Sequence, residues 1–347
     1  MTVPRRRKPH IKTISLALQG GGAHGAFTWG VLDRLLEEER LEIEAITGAS
    51  AGAVNAVVVA EGLAEGGRAR ARAQLQEFWS AVSRALSLSP LSGALWQNFL
   101  PPWLRGLNPA MTAFDMFSKI ASPYDFNPTD YNPLRDIVEK EVDFRLVHVC
   151  TTMKLFVSAT NVETGRLKVF SGNEVTLDAV MASACLPTLY KAVEIDGVSY
   201  WDGGYTGNPA LHDLIKGTEG SDLMVVQINP DRRAEVPRAA GDILSRLNEI
   251  TFNASLVRDL QAVAFVNKAL AKGGLSGLGY RTVHLHRIGG GATFEMLRNY
   301  SKFDGNWSFL TQLRDAGYAE TDLWLREHFD AVGQSATFEP GSDAWRD

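Results

Sequence analysis

The stretch that most constrains this chain is Gly48-Ala49-Ser50-Ala51-Gly52. The apolar run Ile43 to Thr47 leads into it, and Ala53 to Ala60 leaves it as a segment that reads as a buried helix. A serine flanked by glycines two residues away on each side, at a strand-to-helix turn, is a tight and strained arrangement. Positions 48 and 52 must lack a Cβ, and the Ser50 hydroxyl is pushed out above the sheet. The following helix aims its free N–H groups and positive end at any negative charge formed there. That geometry suits a nucleophile. A plain tight turn would tolerate the same residues, and roughly 0.2 such matches arise by chance in a chain of this composition.

A second glycine turn changes the balance. Thr13 to Leu18 reads as a buried strand, Gly20-Gly21-Gly22-Ala23-His24-Gly25 follows at once, and Ala26 to Leu36 reads as a helix. Three consecutive glycines leave backbone N–H groups bare, so an anion can approach them closely. For acyl transfer that anion is the tetrahedral oxyanion, and losing one such donor costs about 2.7–4 kcal/mol of barrier. Chance produces a GGGxxG match only about 0.03 times per chain of this kind. Gly20, Gly22 and Gly25 also satisfy the dinucleotide-binding pattern GxGxxG. That reading wants an acidic residue at the end of the next strand, whereas this strand ends in Thr47-Gly48-Ala49-Ser50, with Glu42 and Glu44 at its start.

Together with Asp202-Gly203-Gly204, these stretches resemble the patatin-like phospholipase family, whose pattern is GGGx[RKH]G, then GxSxG, then DG[GA]. The resemblance runs from about residue 12 to residue 210. It implies that Ser50 is the nucleophile and Asp202 its partner in a dyad that uses no histidine. It places the oxyanion hole at Gly20, Gly21 and Gly22, with Ala51 as a further donor, and the nucleophile elbow at Gly48 and Gly52. His24 takes the family's basic position, and Gly25, Gly203 and Gly204 complete the motifs. The implied activity is hydrolysis of a lipid carboxyl ester, a phospholipid or another acyl ester, through an acyl-enzyme and without a cofactor or metal.

Elsewhere the pattern alternates strands with helices, which predicts a three-layer α/β/α domain around a mostly parallel sheet. Strands are expected at 154–160, 167–171, 192–195, 198–201, 223–228 and 281–288. Asp196-Gly197 signals a type I′ hairpin turn. Asp202 lies just past the returning strand, beside two glycines that a hairpin does not require, which fits the other half of a catalytic pair; capping of a helix near Asn208 is the alternative. Helices are expected at 68–88, 177–185, 241–271 and 307–329, with a break at Gly66-Gly67. Residues 89–133 combine aromatics such as Trp96, Phe99 and Trp103 with seven prolines, and are expected to form a helical cap that covers the sheet or lines an acyl groove. Residues 1–11 are expected as a basic disordered tail, 12–332 as the hydrolase domain, and 333–347 as a polar tail.

His284 and His286 alternate on one strand, so Ser50…Asp202…His284 also follows the chain order of an α/β-hydrolase triad. The glycine loop on the first strand and the serine on about the second leave no room for the strands that usually precede such an elbow. The net charge of −5 argues against a nucleic-acid partner. Cys150 and Cys185 are too few for a disulfide framework, which points to a reducing, cytoplasmic setting. Arg5-Arg6-Arg7-Lys8 lacks the apolar run of a secretion signal and offers a handle for anionic lipid at the membrane periphery.

Overall fold

A computed structural model of the chain describes residues 11–88 and 122–340, apart from positions 234, 239, 276 and 298. Its sheet runs β5-β6-β3-β2-β1-β7-β8, with β4 also paired to β3. The strands β1 (Lys12–Leu18), β2 (Leu41–Gly48), β3 (Lys154–Asn161), β7 (Asp222–Gln227) and β8 (His284–Gly289) are mutually parallel. β4 (Leu167–Ser171), β5 (Val193–Ile195) and β6 (Val198–Asp202) add an antiparallel margin. The expected strands are present, and Asp196 and Gly197 both take positive φ, 51° and 76°, as the I′ turn demands.

Alternation along the strands builds two cores, one on each face of the sheet. Ile14, Leu16, Leu18, Met224, Val226 and Ile288 face one side, with α1 (Gly25–Glu37), α2 (Ala51–Leu88) and the long C-terminal helix. Ala17, Ala45, Leu223, Val225 and Leu285 face the other, where Leu211, Leu214, Leu256 and Leu260 cover them. The architecture is therefore three-layered. α2 bends at Gly66 and Gly67, where the expected break falls.

The remaining helices are α3 (Pro123–Phe126), α4 (Pro133–Glu141), α5 (Phe144–Val149), α6 (Leu177–Ser183), α7 (Leu211–Gly217), α8 (Ala240–Ala271), α9 (Gly291–Met296) and α10 (Trp307–His328). The aromatic and proline-rich stretch 89–133 lies outside the described residues as far as 121. The basic stretch 1–10 and the end from 341 also lie outside them. The stretch from 333, expected as a polar tail, first lies against β8: the N–H groups of Thr337 and Phe338 both donate to the Leu285 carbonyl at 3.0 Å. Among the described residues no helix is long and apolar enough to cross a membrane.

β3 positions the site. A strand has two edges, and β4 occupies one of them along residues 156–160. β2 and β6 overlap that stretch, so both must pair on the opposite edge. There Gly48 pairs with Val157 and Asp202 with Ala159. Because β6 is antiparallel to β3 and β2 is parallel to it, the C-terminal ends of β2 and β6 meet end to end. Ser50 leaves one of them and Asp202 closes the other.

Candidate active site

β2 ends at Gly48 and α2 begins at Ala51, so the chain reverses within two residues. A Cβ on Gly48 would lie 2.5 Å from the Gly52 carbonyl carbon, and one on Gly52 would run into the Leu18 carbonyl of β1. Both glycines are thus required by close approach. Ser50 itself takes φ 52°, the left-handed region that a residue with a side chain enters only at a cost of order 1–3 kcal/mol. Its N–H donates to Ser183 Oγ at 2.9 Å, at the end of α6, and its carbonyl accepts from Val54 at 3.1 Å. The strained serine is held on both sides. It is 9% exposed.

Asp202 is fully buried. Its backbone is fixed by a donation to the Cys185 carbonyl and by acceptance from Thr160 Oγ1, both at 2.8 Å. Oδ1 accepts from the Gly204 N–H at 2.7 Å, so the side chain caps the short 3-10 turn Gly203–Tyr205 rather than a helix near Asn208. A side chain on Gly203 would collide with the Ser158 carbonyl of β3. Oδ2 is buried and finds no hydrogen-bond partner beyond the neighbouring Ser50 side chain. Burial pushes the carboxyl up to about 7, while the Gly204 N–H, the Ser50 side chain and the Lys302 charge pull the other way. The result is a carboxyl poised to exchange a proton near neutral pH, with one oxygen left to Ser50.

The glycine loop packs against the same serine: a Cβ on Gly20 would lie 2.7 Å from Ser50 Cβ. Gln19 anchors the loop by accepting at Oε1 from the N–H groups of Ile228 and Asn229, each at 3.0 Å. The Gly20 N–H donates to Asn208 Oδ1 at 2.7 Å, and its carbonyl accepts from Asn229 Nδ2 at 2.8 Å. Gly20 was expected among the oxyanion donors, but its N–H is engaged because that group holds the loop to the Asn208 turn. The N–H groups of Gly21, Gly22 and Ala51 donate to no group among the described residues. Gly22 takes φ 59°. His24 is buried, with Nε2 2.7 Å from Ser301 Oγ, and burial, then Lys302 and Arg233, lower its pKa to about 3. At neutral pH the basic position of the motif therefore carries no charge.

His284 and His286 are elsewhere. His286 is fully buried, with Nε2 3.0 Å from Asp222 Oδ1 and Nδ1 2.9 Å from Thr337 Oγ1; His284 Nδ1 lies 3.4 Å from the same carboxylate. Asp222 and His284 start their strands, whereas Ser50 follows the end of β2. Gly48 shares its level with Leu18, Val226 and Ile288, three strands across, and both histidines precede that level. The structure brings neither imidazole to Ser50, so it does not assemble the triad. The dinucleotide reading fares no better. Glu44 accepts from the N–H groups of Glu219 and Gly220, at the far end of the sheet from the glycine loop.

Ser183, Asn208, Asn229 and Lys302 were not singled out in the sequence. Ser183, Asn208 and Asn229 each reach the site through a bond from more than 130 residues away along the chain, and Lys302 packs its carbonyl on Gly22 from as far; no local pattern marks such a contact.

A search of curated protein sequences finds no match. Among solved structures, VipD from Legionella pneumophila is similar at a TM-score of 0.43 and 16% identity, over 92% of this chain and 67% of that one. ExoU, in its complex with SpcU from Pseudomonas aeruginosa, is similar at a TM-score of 0.31 and 14% identity, over 96% and 74%. In another ExoU structure, at a TM-score of 0.30 and 14% identity, the match covers 91% of this chain and 53% of that one, about half its length. The family model described as patatin-like phospholipase matches residues 16–215, from within β1 into α7 and across all three glycine motifs. The chain belongs to the patatin-like phospholipase family.

Proposed function

We propose that the protein is a serine lipid acyl hydrolase that cleaves the carboxyl ester of a phospholipid or related acyl lipid through a Ser50–Asp202 dyad. The observation that carries this reading is the pairing of a strained, barely exposed serine with a fully buried carboxyl whose second oxygen has no partner beyond that serine. A carboxylate at its ordinary pKa near 3.8 is a poor base at neutral pH; burial raises this one to about 7 and matches it to the task.

In acylation, Ser50 Oγ attacks the ester carbonyl carbon while Asp202 takes its proton. The carbonyl electron pair moves onto oxygen, where the N–H groups of Gly21, Gly22 and Ala51 receive it. Collapse expels the alcohol, which leaves with the proton from Asp202, and the acyl group stays on Ser50. In deacylation, Asp202 takes a proton from water, the hydroxide attacks the acyl carbon, and Ser50 recovers its proton as the fatty acid departs. Both free thiols, Cys150 and Cys185, fit a reducing cytoplasmic setting, with the enzyme meeting its substrate at the membrane periphery.

Labelling with a fluorophosphonate followed by peptide mass spectrometry tests the reading. The adduct is expected on Ser50, and phospholipid hydrolysis should stop as labelling completes. Hydrolysis that continues in fully labelled protein, or an adduct only at another serine, would refute it.

A further inference from the structure

The glycine loop needs positive potential where negative charge develops, yet its own ionisable side chain, His24, is neutral at neutral pH. A cation reaches the loop from another part of the chain. Lys302 lies in the short turn Asn299–Phe303 between α9 and α10, and this turn packs on the loop at two points. Ser301 holds His24, and the Lys302 carbonyl sits so close to Gly22 that a Cβ there would lie 2.5 Å from it. Lys302 Nζ donates to Asn229 Oδ1 at 2.7 Å, and the same amide donates through Nδ2 to the Gly20 carbonyl. The ammonium also stands 5.7 Å from the centre of the Phe252 ring, the ring against which Gly204 packs. Lys302 is thus wedged between the loop that carries the oxyanion donors and the loop that carries Asp202.

We propose that Lys302 is a positioning residue for the reaction, holding the glycine loop through Asn229 and supplying the fixed positive charge that keeps Asp202 ionised when the Ser50 proton must be taken. This rests on the dyad reading above. The charged groups facing Lys302 are Glu249 on α8, Arg233 after β7, and Asp202. Arg233 at 2.5 Å and Arg246 at 3.0 Å share the one Glu249 carboxylate, so these three groups keep a single net positive charge, and the cation that bears on Asp202 is Lys302. Cys185 and Tyr205 also face Asp202, and both are pushed up by burial and stay neutral. Lys302 donates to an amide oxygen instead of a carboxylate, which leaves its charge available to the site. Burial lowers its pKa to about 8.

The test compares Lys302→Met and Lys302→Arg for kcat, KM and the pH dependence of kcat/KM on a phospholipid. Removing the cation disfavours the carboxylate, so the acid limb of Lys302→Met is expected to move up by about one pH unit. At pH 7 kcat should fall about fivefold, since a carboxyl moved up one unit from about 7 drops from about one half ionised to about one eleventh, with little change in KM. Lys302→Arg, charged at all accessible pH, should keep the limb where wild type has it. A merely structural role would lower stability or raise KM without moving the limb. Lys302→Gln, whose amide can still donate to Asn229, serves if the methionine variant does not fold. Titration of the Asp202 carboxyl by 13C NMR in wild type and variant reads the same shift with no ester present. A folded, neutral variant with an unmoved limb and an unmoved Asp202 titration overturns the proposal. Wild-type protein without Ser50 labelling would overturn the dyad instead, and the NMR titration would still decide whether Lys302 acts on Asp202.

Discussion

Gly48 and Asp202 lie on the same edge of β3, opposite Val157 and Ala159, two residues apart. The spacing between the nucleophile turn and the carboxylate is therefore set by the register of a third strand, with no direct ladder between β2 and β6. Ser158, between those two positions, ties them: its Oγ lies 3.2 Å from the Gly48 carbonyl and 2.8 Å from the Gly207 carbonyl beyond the Asp-Gly-Gly turn. Ser158→Ala should slow catalysis through misalignment. Lower kcat with unchanged KM on a soluble short-chain ester is the expected outcome, and unchanged kcat would detach the strand register from the chemistry.

Asp202→Asn should abolish hydrolysis nearly as far as Ser50→Ala, because an amide cannot take the proton. The same change should stabilise the protein, with a definite pH signature. The folded pKa of about 7 lies above the ordinary 3.8, so folding favours the protonated acid. No penalty operates below about pH 4; it grows as pH rises between the two values and is complete above 7. For this fully buried group the penalty is at most about 4 kcal/mol. Thermal melts should show Asp202→Asn gaining more over wild type at pH 8 than at pH 4. An equal gain at both pH values would mean that the carboxyl is not held high.

Much of this was legible in the sequence, and for a common reason. The two glycine turns, the Asp196-Gly197 hairpin and the break at Gly66 are written in residues within a few positions of one another, where backbone geometry dictates composition. Ser50 and Asp202 carry such local marks. What pairing across the fold decides was not legible. The Gly20 N–H is spent on Asn208, the Ser50 N–H on Ser183, and His284 with His286 on Asp222. The alternation of the two histidines correctly put them on one face; only the register of β8 against β7 shows which end of the sheet that face serves.

The histidines give a separate prediction. His286→Ala removes a fully buried ring bonded to Asp222 and Thr337. It should destabilise the protein by about 2–3 kcal/mol, the cost of a cavity plus stranded polar partners. The folded fraction should retain most of its activity and keep the wild-type acid limb, which the dyad assigns to Asp202. A stable but inactive His286→Ala would reopen the triad.

Gly22→Ala should lower kcat more than it raises KM. Alanine at φ 59° is strained, and its methyl would press on the Lys302 carbonyl at 2.5 Å, shifting the N–H groups to which the proposed mechanism assigns the oxyanion. A loss of at least about tenfold in kcat is expected, short of the 10²–10³ seen when a donor is deleted outright. Unchanged kcat would move the oxyanion site elsewhere.

All three motifs are complete by Gly204, yet the central strand β1 pairs on its far side with β7, which begins only at Asp222. A gene fragment carrying every motif but ending at α7 would encode the full chemical vocabulary with an open seam through its middle. Ser15 to Leu18 would lose their ladder partners, and Gln19 and Gly20 would lose Asn229. An unpaired apolar edge of that kind recruits other chains. The smallest transplantable unit of this enzyme is therefore longer than its signature, and shuffling or truncation between 205 and 289 should yield aggregates in place of weakened catalysts.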